Sequence, residues 1–112
     1  MAGVFRFIAE LTLLRTEEGG RHHGVLVGYR PDWVFDGCDL GYCMGSIVTL
    51  ERDRLEPGET QKVELRIIRR DRPELLSDFI RVDQEFSTME GARRVAHGRI
   101  VEVIEKSVEA ET

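Results

Sequence analysis

"FRFIAELTLLRTEEGGRHHGVLVGYRPDWVF", Phe5 to Phe35, is the stretch that decides the fold. Its first part has a period of two. Phe5, Phe7, Ala9, Leu11 and Leu13 fall on one face, while Arg6, Ile8, Glu10, Thr12 and Leu14 fall on the other. Successive side chains of a β-strand point to opposite sides, so this is a long strand with one fully apolar face. Glu17, Glu18, Gly19 and Gly20 then form a turn in which glycine supplies positive φ. Short strand-like runs follow at "GVLVGY" and "WVF", with Pro31 between them. Proline donates no ladder hydrogen bond and so marks a bend or an edge.

The same period recurs downstream. "DGCDLGYCMG" is a Gly/Asp-rich loop and "SIVTLE" a strand. "LEPGET" is a turn with Pro57 and Gly58 in their usual places. "QKVELRII" sets Val63, Leu65 and Ile67 against Lys62, Glu64 and Arg66. "RRDRPELLSD" is a polar connection with one helical turn expected after Pro73. "FIRVDQEFS" alternates again, "MEGARR" holds a last tight turn around Gly91, and "VAHGRIVEVIE" is a closing strand. About six strands with almost no helix predict a small closed β-barrel or sandwich. The long first and last strands suit closure, which removes exposed edges.

Composition narrows the function. The 112 residues make one domain. No apolar run approaches the roughly 20 residues that span a bilayer. Arg6 and Glu10 interrupt the first apolar stretch, which therefore is not read as a leader. The net charge is −5. From Glu102 onward four glutamates against Lys106 supply −3 of it, leaving −2 for the body. Such a balance opposes non-specific nucleic-acid binding by the overall field. Yet 14 of the 16 basic residues are arginine, which leaves room for a local guanidinium surface. Only two cysteines, Cys38 and Cys43, fit a reduced, cytoplasmic protein.

The order of these pieces is similar to that in the third domain of elongation factor Tu. "EEGGRH" at Glu17–His22 leads into "GYRP" at Gly28–Pro31 and an aromatic strand. "GSIVTLE", "EPGETQKVEL" and "FSTMEGARRVAHGRIVEVI" follow in the family's order, so the resemblance spans Phe5 to Ile104. It implies a six-stranded antiparallel Greek-key β-barrel over residues 1–104, followed by an acidic tail at 105–112 that is expected to be mobile. The chain also departs from the family. It has no phosphate-binding loop, so no GTP binding or hydrolysis is expected. The family's last "EGGR" is "EGAR" here, with Ala92, and the segment from Asp36 to Met44 is longer and richer in Gly and Cys.

The resemblance also implies partners. In the family this barrel meets tRNA, a nucleotide-exchange factor and two neighbouring domains. Arg21 and His22 become candidate phosphate contacts, with the Gly19 and Gly20 amides beside them. The competing expectation is that Arg21 folds back on Glu17 or Glu18 and fixes the turn. Arg30, Arg93, Arg94 and Arg99 complete the candidate RNA or partner contacts. The cluster Arg66, Arg69, Arg70 and Arg72 is the densest positive charge, set against Asp71 and Glu74. Tyr29, Trp33 and Phe35 read as core rather than as a base-stacking platform. His22, His23, Cys38 and Cys43 are zinc-ligand types at poor spacing, because adjacent strand histidines point to opposite faces. A Cys-His nucleophile has no constellation behind it. The expectation is therefore a non-catalytic interaction module without metal or cofactor. It would bind a protein partner or self-associate, the alternative being a tRNA-binding module.

Overall fold

The structure, a computed structural model, describes residues 2–109. Six strands form it: β1 Ala2–Leu13, β2 Asp32–Phe35, β3 Cys43–Leu50, β4 Thr60–Arg69, β5 Glu85–Glu90 and β6 Arg93–Glu109. One short helix, α1, spans Pro73–Ser77, where the sequence places a helical turn. The strands close into a barrel in the order β1-β4-β3-β2-β5-β6, and every pairing is antiparallel. β2, β3 and β4 are consecutive neighbours, and β5 returns to lie beside β2. That is the Greek-key order.

β1 shows why the chain closes this way. Phe5, Phe7, Ala9, Leu11 and Leu13 are all buried, and their intervening neighbours are not. Its inner face therefore fills the barrel, while its two edges pair with β4 and β6. Val63, Leu65 and Ile67 do the same on β4. Phe86 meets Phe7, Trp33 and Phe35 at the centre, and Phe7 also meets Phe35, with ring centroids 5.6 to 6.2 Å apart in tilted and edge-on arrangements. Burying each such ring contributes about 2–3 kcal/mol. The aromatics of "YRPDWVF" thus serve the core and form no stacking platform.

Three stretches depart from the sequence expectation. Gly24–Tyr29 is not a strand. Val25 makes a single bridge to Leu55, and the chain then turns, with Tyr29 N donating to Leu26 O at 3.1 Å. Gly28 holds φ at 93°, so the run ends before a ladder can grow. Phe79–Gln84 is likewise a series of turns that ends at Asp83, φ 73°. Its apolar alternation survives only in part: Ile80 is buried but Val82 is 54% exposed.

The third departure concerns the acidic tail. Residues 105–109 belong to the barrel, because Glu105 to Glu109 pair with Arg6 to Ala2 of β1. The first residues of β1 need a ladder partner on the side away from β4, and this segment supplies it. Strand β6 thus runs past residue 104, where the tail was expected to begin, as far as Glu109; residues 110–112 of that expected tail lie outside the described residues. The register skips Val101 and Ile104, which marks two β-bulges. Past Arg99, β6 no longer pairs with β5. Bulges twist an unpaired edge away from incoming strands.

The "EEGG" turn is as tight as its glycines suggest. Thr16–Glu18 is one turn of 3-10 helix closed by Gly19 at φ 91°. Gly20 is needed for a different reason: a Cβ there would strike the Leu14 carbonyl oxygen. In the β5–β6 hairpin Gly91, not Ala92, takes the positive φ.

Candidate functional site

An open groove of about 660 Å³ lies on the outer face of β3 and β4. Its construction starts at the loop between β2 and β3. Gly37 and Gly41 both hold positive φ and fold the segment that the sequence marks as unusually long. Arg69, at the end of β4, clamps this loop. Its guanidinium donates to Leu40 O at 3.3 Å, Tyr42 O at 3.1 Å and Asp71 O at 2.7 Å, and reaches the Cys43 sulfur at 3.4 Å. The side chain is only 10% exposed, so Arg69 is a structural staple. Burial pushes the Cys43 thiol up, and Arg69 opposes this in part.

The clamp leaves Tyr42 standing out at the groove's rim. Tyr42 is 55% exposed, Met44 64% and Ile68 42%. Met44 and Ile68 are direct cross-strand partners, and Val4 of β1 continues the same row. Gly45 forms the floor next to Met44. A Cβ there would meet the Ile67 methyl and the Arg66 carbonyl oxygen, the latter at 2.7 Å. The Gly45 carbonyl accepts from Trp33 Nε1 at 2.8 Å, which ties the groove floor to the core.

Arg30, Arg66 and Arg70 line this apolar floor. Elsewhere the arginines are mostly neutralised. Arg6 pairs with Glu64, Arg52 with Glu59, Arg54 with Glu56, Arg72 with Asp71, and Arg99 with both Glu10 and Asp83. Among the described residues, Arg30, Arg66 and Arg70 have no carboxylate within ion-pair distance. The one acid at the groove, Asp71, is engaged by Arg69 and Arg72. The partial neutralisation expected from Asp71 and Glu74 comes from Asp71, which engages Arg69 and Arg72 but not Arg66 or Arg70. Three exposed cations around three exposed apolar side chains form a surface suited to an anionic partner with an apolar anchor.

The candidate RNA or partner contacts do not form one face. Arg21 does not fold onto Glu17 or Glu18. It pairs with Glu90 on β5, and its guanidinium sits 5.1 Å over the Tyr29 ring. Tyr29 also donates to Glu90, and Arg93 reaches the other Glu90 oxygen at 3.4 Å. Burial pushes the Tyr29 hydroxyl well above its ordinary value, and the hydrogen bond to Glu90 adds to this. Burial would raise Glu90, but hydrogen bonds from Tyr29 and Arg21 hold it below the usual carboxylate value. Glu18 instead accepts from the Arg15 amide at 2.9 Å and caps the 3-10 turn.

The remaining candidates scatter. His22 and His23 are exposed. Arg94 donates to Ser87, and Arg94 and Arg99 line a smaller polar depression beside Glu10. Arg30 alone sits in the groove. Cys43 is buried and Cys38 half-buried, and both are free thiols. Among the described residues no three His, Cys, Asp or Glu side chains converge as a metal-binding group. No helix among them is long and apolar enough to cross a membrane. Sequence reasoning missed Tyr42, Met44 and Ile68. The available signal was the outward alternation Arg66, Ile68, Arg70, which continues the period of β4. No protein-family model matches the chain.

Proposed function

We propose that this barrel is a non-catalytic binding module whose groove on β3 and β4 docks an acidic protein partner. One observation carries the reading. Of the six arginines without a carboxylate partner among the described residues, Arg30, Arg66 and Arg70 gather around one exposed apolar floor, whereas Arg15, Arg81 and Arg94 lie outside the groove. Desolvating such cations is favourable only against an anion, and the apolar floor adds area to be buried. A protein segment fits this mixture better than a nucleic-acid backbone, because the exposed Tyr42, Met44 and Ile68 offer an apolar side-chain area to bury that a phosphodiester backbone does not use. The engagement of Arg21, Arg93 and Arg99 with carboxylates weighs in the same direction.

The order of the motifs from Glu17 to Ile104, together with the closed Greek-key barrel, supports kinship with the third domain of elongation factor Tu. The two free thiols fit a cytoplasmic setting. A fluorescent Glu/Tyr copolymer and a labelled tRNA, each titrated with the protein at low and physiological salt, test the function. The copolymer should bind, and the triple variant Arg30→Glu, Arg66→Glu, Arg70→Glu should abolish that binding. Unchanged binding by the variant would overturn the proposal, as would tRNA binding tighter than copolymer binding.

A further inference from the structure

The spacing of groups in the groove specifies more than charge. Arg66, Ile68 and Arg70 are exposed at alternate positions, so they form one outward row on and just past β4. At about 3.3 Å per residue, the two arginines stand roughly 13 Å apart at their backbones, with Ile68 midway. Met44 lies directly across from Ile68 and widens the apolar step between the two charges. Ser46, the cross-strand partner of Arg66, is small and leaves that end open. Tyr42 closes the other end near Arg69 and Arg70.

An extended peptide has the same rise as β4, so groups on the two chains stay in register over several residues. We propose that the groove reads an extended segment in which one apolar side chain is flanked by carboxylates two residues before and two residues after it. The apolar side chain rests on Met44 and Ile68. The two carboxylates take bidentate hydrogen bonds from Arg66 and Arg70. Arg30, which follows the Tyr29 carbonyl bonded to Ile47 N of β3, adds a third cation along the far wall. The inference rests on the acidic-partner reading above and adds a register to it.

The test uses the full chain and three synthetic peptides, of which the first two are isomers of one composition. One peptide carries Asp at positions −2 and +2 around a central Leu, a second carries Asp at −1 and +1, and a third has Lys in place of both Asp. Fluorescence anisotropy gives each affinity. The −2/+2 peptide should bind about tenfold tighter than the −1/+1 isomer, since misplaced charges leave one arginine unpaired. The Lys peptide should not bind. Arg66→Ala or Arg70→Ala should erase the preference between isomers, and Arg94→Ala, on the opposite side of the barrel, should leave it intact. Equal affinity for the two Asp isomers would overturn the register while leaving acidic-partner binding in place. Failure of every acidic peptide, and of the Glu/Tyr copolymer as well, would overturn both.

Discussion

Arg21 and Glu90 stand 69 positions apart in the chain yet share an ion pair that Tyr29 completes. The Tyr29 hydroxyl donates to the same Glu90 oxygen, and its ring lies 5.1 Å beneath the guanidinium. This contact fastens the loop after the 3-10 turn to the β5–β6 hairpin. It also turns the most RNA-like residue of the sequence into a structural one.

Glu90→Gln should destabilise the barrel by about 1–2 kcal/mol at neutral pH, a charge-assisted value reduced because both side chains are about a quarter exposed. The pH dependence has a definite sign. Glu90 is held below its ordinary value of 4.5 in the folded chain, so its contribution is complete above that pH. It is lost as pH falls through the lower folded value. Urea melts at pH 7 and pH 3 should show the gap between wild type and Glu90→Gln shrinking in acid.

Trp33 is the single tryptophan and is fully buried, with its indole N–H on the Gly45 carbonyl. Its emission should be blue-shifted in the native state and move red on unfolding. Trp33→Phe leaves a void and an orphaned carbonyl, and should cost about 2–3 kcal/mol by circular-dichroism melts. Because that carbonyl forms the groove floor, the same variant should also weaken binding of the −2/+2 Asp peptide.

The two thiols should react in sequence. Cys43 is 1% exposed and its thiol is raised by burial despite Arg69, whereas Cys38 is only half-buried. Iodoacetamide on the native protein should label Cys38 first, with Cys43 labelled only on unfolding, as read by peptide mass mapping. Equal labelling would mean that the loop clamped by Arg69 opens readily.

Ending the chain at Ile104 removes five pairings between Ala2–Arg6 and Glu105–Glu109. At about 0.2–1 kcal/mol per cross-strand pair, the loss should be roughly 1–5 kcal/mol. Each kcal/mol lowers Tm by about 4–8 °C in a domain near this size. A dispensable tail would leave Tm unchanged in a thermal scan.

The alternation of β1 and β4 was legible because each strand has one apolar face, and a period of two admits one inward set. The helical turn after Pro73 and the glycine turns were legible for local reasons of the same kind. The strand expected at Phe79–Gln84 was not, because hydrophobic alternation does not reveal that Asp83 turns to positive φ. The continuation of β6 was hidden too. Its glutamates look like a solvated tail until Glu105 is placed beside Arg6, 4.0 Å away across the β1–β6 pairing.

The sequence by itself determined an all-β domain of about six strands, and the structure closed it into a barrel. Side-chain periodicity, turn glycines and chain length are local properties, and they suffice to specify six strands with a common apolar face. Only the tertiary structure decided which arginines are free. Arg21 meets Glu90 rather than Glu17 or Glu18, its neighbours in sequence, because the loop that carries it leads into β2, whose Asp32 lies opposite Met89 of β5. Arg30 joins Arg66 and Arg70 because β3 lies between their segments. Charge neutralisation acts through space over a few ångströms, and strand register, which no single segment encodes, determines which charges come that close.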